Sequence, residues 1–132
     1  MPMRILQPPN WARPKGYSNG ILTEGRLIFL AGMIGWDEQN HFQSLDFVGQ
    51  CRQALVNIVA LLKEAGAKPE HIVRMTWYII DKQEYLGAAQ QLGVMYREII
   101  GKHYPAMTAV QVQALMENQA RLEIEVTAVL PN

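Results

Sequence analysis

Cysteine is almost absent from these 132 residues, and the single one, Cys51, excludes an intramolecular disulfide. An excess of one charge is missing as well: twelve Lys and Arg balance twelve Asp and Glu, for a formal net charge of zero. Nucleic-acid binding draws on a surplus of basic residues that displaces condensed counterions, so no nucleic-acid partner is expected. No apolar run approaches the roughly 18 residues of a membrane span. The opening MPMRILQPPNWARPKG lacks the continuous apolar stretch of a signal peptide, so a cytoplasmic location is expected. His41, His71 and His103 lie far apart, and none has a second ligand type at metal spacing. Phosphate-loop, dinucleotide-binding and nucleophile-elbow motifs are all missing. The expectation is therefore no metal and no cofactor, with any chemistry coming from ordinary side chains and backbone groups in a cleft.

What is present is ample core material, 49% hydrophobic, for one domain spanning residues 1–132. Pro2, Pro8, Pro9 and Pro14 mark an extended N-terminal segment. Ile21 to Thr23 and Arg26 to Leu30 flank Glu24-Gly25, which reads as a two-residue hairpin turn. Leu27 to Ala31 is apolar throughout, as in a strand covered on both faces, and Gly32 and Gly35 mark a bend or close backbone packing. Phe47, Cys51, Ala54, Leu55, Ile58 and Leu62 recur at helical spacing, with Ser44 as N-cap and Gly66 as terminator. Cys51 lies on that stripe and reads as a small buried hydrophobe. Ile72 to Ile80 is a strand by composition, and Asp81 to Glu84 has the form of a capping box opening a helix that ends near Gly101. Residues 110–114 and 122–130 alternate with period two, each expected to turn its apolar side to the helices. Their glutamine, glutamate and threonine side must meet water or another subunit. The order predicts an α+β fold, a mixed sheet with two helices on one face.

Five segments, in order and correctly spaced, resemble the RidA (YjgF, L-PSP) family. They are Gly16-Tyr17-Ser18-Asn19-Gly20, Phe29 to Gly35, Gln50 to Ile58, Tyr104-Pro105-Ala106-Met107-Thr108 and Leu122 to Val126. The resemblance implies a chorismate-mutase-like fold and a homotrimer whose sheets close into a central barrel, with a small-molecule cleft between subunits. It also implies a cofactor-free hydrolysis of enamines or imines to a carbonyl compound and ammonia.

Carried over residue by residue, the resemblance makes Glu123 the catalytic group that positions water, because a carboxylate beside a substrate can orient water and accept its proton. It places Tyr17, Ala31, Gly32, Met107, Thr108 and Ala109 around the substrate. Met107 stands where the deaminating members have an arginine that clamps the substrate carboxylate, so the chain resembles an arginine-lacking subgroup. Ala31 replaces a serine and Met33 a glutamine. Arg13, Lys15, Lys102 and His103 are the nearby cations, each expected on the surface. One activity among arginine-lacking relatives is deamination of 2-aminomuconate. The alternative is a trimer that binds a small apolar molecule without turning it over. A ribonuclease fits the zero net charge poorly.

Overall fold

A computed structural model describes residues 3–132; Met1 and Pro2 lie outside the described residues. The first helix, α1 (Phe47–Glu64), buries the six-residue stripe that its periodicity implies. Each large apolar side chain there contributes roughly 1.5–3 kcal/mol of burial. Cys51 is among them, fully enclosed, and burial pushes its thiol well above the ordinary range. The N-cap is Asp46 rather than Ser44: the Asp46 carboxylate accepts from the Gly49 N–H at 2.6 Å, while the Ser44 hydroxyl accepts from Asp46 itself at 3.2 Å. A carboxylate at the positive end of the helix dipole is the stronger cap.

The main sheet orders its strands β3 (Arg26–Phe29), β7 (Leu122–Leu130), β5 (Ile72–Ile79) and β6 (Ala106–Gln111), with β4 (Met33–Ile34) also paired to β7. All pairs are antiparallel except β5 with β6, so the sheet is mixed. Met75, Trp77 and Ile79 of β5 and Leu122, Ile124, Val126 and Ala128 of β7 point to one side. They pack there against α1 and α3 (Ala89–Ile99) in a single core. The expected second helix is divided: α2 (Lys82–Gly87) precedes α3. Asp81 caps α2 by accepting from the Gln83 and Glu84 N–H groups at 3.0 and 3.3 Å. The return half of the expected capping box is not made, because the Glu84 carboxylate instead takes the Arg121 guanidinium at 2.8 Å. The architecture is thus α+β, a mixed sheet with helices on one face.

Three further expectations are corrected. The Glu24-Gly25 hairpin does not form, because β2 (Gly20–Leu22) pairs with β1 (Arg4–Leu6) in a separate ribbon while β3 pairs with β7. The nine-residue β7 offers β3 a longer ladder than three-residue β2 could. Strand β3 is covered on one face only, since Leu27 and Phe29 are 62% and 73% exposed on the side away from the helices. On β6, Val110 points to that open side too, while Gln111 turns toward α2 and accepts the Lys82 N–H at 2.7 Å. Pairing of β6 with β5 fixes this register: Met107 lies beside core residue Met75, and Val110 beside Tyr78.

One buried polar side chain ties these layers together. Gln50 of α1 donates from Nε2 to the carbonyls of Ser44 (3.2 Å) and Gln119 (2.8 Å), and its Oε1 accepts the Arg121 N–H at 2.7 Å. Gly35 lies against it: a Cβ at Gly35 would stand 2.6 Å from the Gln50 Cα. Replacing Gln50 with Leu keeps the bulk but strands these backbone groups, and urea denaturation should show a loss of about 1–3 kcal/mol. Removing the exposed Arg52–Glu98 pair with Arg52→Ala should cost less than about 1 kcal/mol.

Candidate functional site

The residues expected around a substrate fall into two groups at separate places on the sheet. The first gathers at the start of β6. Ser18 anchors the Tyr17 segment there, its N–H donating to the Pro105 carbonyl at 3.0 Å and its hydroxyl to Tyr104 O at 2.5 Å. Tyr17 thereby borders a recess with Tyr104 and Arg13. Tyr104 also lines the neighbouring cavity that holds Met107, on the helix side of the sheet. Thr108 points the other way, into a groove with Arg74 and Asn19. Ala109, beside Trp77 in the ladder, is exposed at the sheet edge.

The second group lies on the open face of β7 and the β3–β4 turn. Ala31 is exposed and Gly32 follows it. A Cβ on Gly32 would overlap the Glu123 carboxylate, standing 2.0 Å from Oε2 and 2.7 Å from Cδ. The glycine is what allows the Glu123 carboxyl to rest on the backbone at that turn. Glu123 shares its recess with Tyr78, Glu125 and Met116. Tyr78 donates its hydroxyl to Glu125 at 3.3 Å, and the Glu125 carboxylate raises the phenol above its ordinary range, with Glu123 adding to the effect. This corner is therefore rich in negative charge and hydrogen-bond acceptors.

Within one chain the two groups do not meet. Glu123 pairs with Tyr78, which pairs with Val110, so Glu123 and Met107 are two strands and three residues apart, roughly 14 Å along the sheet. Among the described residues, no three of His, Cys, Asp and Glu lie close enough to hold a metal ion. His103 is engaged with the Ile72 carbonyl, its Nε2 2.6 Å away and therefore donating. Periodicity gave no warning of two other cavity residues. Arg97 of α3 lines the Met107 cavity, and so does Trp77 of β5; only the folding of α3 over the β5–β6 pair brings them to Met107.

The Endoribonuclease L-PSP family model matches residues 10–130. The chain belongs to this family. It is 33% identical to a RutC family protein of Aquifex aeolicus over 96% of this chain and 99% of that one. It is 30% identical to the human 2-iminobutanoate/2-iminopropanoate deaminase over 86% and 79% of the two chains. Among solved structures, a conserved Rid-family protein of unknown function, YyfB from Yersinia pestis, superposes with a TM-score of 0.85 at 30% identity, covering 98% of this chain and 100% of that one. The RidA/YjgF architecture is therefore that of this chain, and no helix among the described residues is long and apolar enough to cross a membrane.

The Gly32–Glu123 contact is directly testable. Gly32→Ala should cost less than about 1 kcal/mol, since the atoms in its way are the movable end of the Glu123 side chain, and that loss should shrink when Glu123 is also Ala. Equal losses in the two backgrounds, measured by urea denaturation, would show that no such contact exists.

Proposed function

We propose that this family member is a cofactor-free hydrolase of enamines or imines, acting in a cleft completed by a second copy of the chain within a homotrimer. The Glu123 carboxylate resting on the Gly32 backbone carries this reading. It is a carboxylate lying against main chain, free to orient a water molecule and take its proton as the oxygen attacks. The new C–O bond gives a carbinolamine; the amine nitrogen takes a proton, the C–N bond breaks, and ammonia and a carbonyl compound leave. An enamine must first gain a proton at carbon to become the imine. Human, goat and dust-mite relatives bear the name 2-iminobutanoate/2-iminopropanoate deaminase.

The division of the site supports the assembly. Glu123 and Gly32 lie on the open face, Tyr17 and Met107 at the start of β6, and a neighbouring copy would bring one group to the other. Exposed Leu27, Phe29 and Val110 give that open face the apolar surface a closed barrel would bury. Tyr17 and Thr108 would hold the substrate, and the backbone at Ala31, Gly32 and Ala109 would supply polar contacts. With Met107 in place of a cationic clamp, the substrate is a larger unsaturated species, such as 2-aminomuconate, rather than a small 2-imino acid. A binding role without turnover is the second reading, favoured by the aromatic walls around Met107.

Ammonia release from freshly generated 2-aminoacrylate, larger imino acids and 2-aminomuconate distinguishes them. The hydrolase reading expects turnover that Glu123→Ala lowers about a hundredfold or more. Thermal stabilisation by these compounds with no ammonia from any of them would favour binding. Sedimentation at micromolar concentration should show a trimer, and Phe29→Asp should shift it toward monomer; a wild-type monomer would sink the assembly.

A further inference from the structure

The cavity at Met107 has a volume of about 240 Å³ and is walled by Trp77, Tyr85, Tyr96 and Tyr104, with Arg97 of α3 in its lining. Three observations about these side chains converge. Trp77 is only 4% exposed, yet its indole N–H has no acceptor among the described residues. A buried donor left unsatisfied is costly, so an acceptor that enters the cavity gains by meeting it. Arg97 is exposed and makes no ion pair or hydrogen bond among the described residues, which leaves its guanidinium available to a ligand. Its side chain folds back one helical turn, placing Nη1 3.5 Å from where a Cβ on Gly93 would stand, and Gly93 itself lines the cavity. A longer side chain at position 93 would compete with the guanidinium for that space. No acidic residue lines the cavity.

The remaining walls are flat. Tyr96 and Tyr104 stack at 5.7 Å with 13° between their planes, and Trp77 meets Tyr85 edge-on at 6.1 Å. The Tyr96 hydroxyl is already committed to the His103 carbonyl at 2.6 Å. What the cavity offers a ligand is thus one guanidinium, one indole N–H and aromatic surface. A guanidinium recognises a carboxylate by paired N–H donors, and aromatic faces favour a planar π-system.

We propose that Arg97 is the anion-binding residue of this cavity, and that its ligand is a planar aromatic or conjugated carboxylate that also accepts the Trp77 indole N–H. The cation that β6 lacks at Met107 is supplied from α3. The inference rests on placing the ligand cleft at Met107, as above, but does not require turnover.

The test uses cinnamate, a planar conjugated carboxylate, and its uncharged amide, titrated into the full chain by calorimetry and followed by the indole N–H resonances. Cinnamate should bind wild type more tightly than cinnamamide and should shift one indole resonance, identified as Trp77 by its absence from Trp77→Phe. Arg97→Gln should weaken cinnamate at least tenfold while leaving cinnamamide within about twofold, and Arg97→Lys should fall between. Equal affinity of wild type and Arg97→Gln for cinnamate, an unmoved Trp77 resonance, or no binding at millimolar concentration overturns the inference. Arg97-dependent cinnamate binding in a protein that releases no ammonia would uphold it and reject the hydrolase reading. Ammonia release with cinnamate binding indifferent to Arg97 would do the reverse.

Discussion

The structure hangs on one buried amide. Gln50 sits buried in the first turn of α1 beside its apolar stripe, and its three hydrogen bonds reach back to the loop before α1 and across to the segment that enters β7. Because it holds the Arg121 N–H, it sets where β7 begins; because the Arg121 guanidinium pairs with Glu84, it also indexes α2 against that point. Two residues later comes Glu123. A polar group inside a core is costly unless fully paired, and here every bond it makes fixes chain segments that hydrophobic packing alone would let slide.

The Gly35 contact with Gln50 has the same effect on the other side. It brings β4 to within backbone distance of α1, so that the β3–β4 turn carries Gly32 to Glu123. Asn57, two turns further along the same side of α1, donates to the Trp36 carbonyl at 2.7 Å and holds the departing loop. The carboxylate proposed to position water therefore lies against a turn whose following strand packs on α1. Active groups held by backbone rather than by other flexible side chains keep their geometry when a ligand enters or leaves.

The same fold leaves a face unfinished. The helices cover one side of the sheet, and the other carries Glu123, Glu125 and Tyr78 among exposed Leu27, Phe29 and Val110. A face mixing apolar rows with acceptors at one corner suits partial burial, with the acceptors at the margin where a ligand can reach them. That division underlies the proposed site made from two copies.

The sequence determined the helix stripe, β5 by its composition, the alternation of β7, the close backbone packing at Gly32 and Gly35, and the family, because these depend on composition, period, chain geometry and ordered motifs. Tertiary structure decided what local signals could not. Glu24-Gly25 has good turn chemistry, yet long-range pairing with β7 took β3 away from β2. Val110 alternates as a core residue should, yet the register with β5 turned it outward. Asp46 displaced Ser44 as cap because capping depends on where the first turn begins, which the packing of Phe47 sets. The family motifs brought Met107 and Glu123 to attention, while their separation on opposite faces follows only from strand order. Arg97 and Trp77 were silent in the sequence for the same reason: what makes each of them notable is a neighbour across space, and proximity between a helix and a strand edge is a property of the fold.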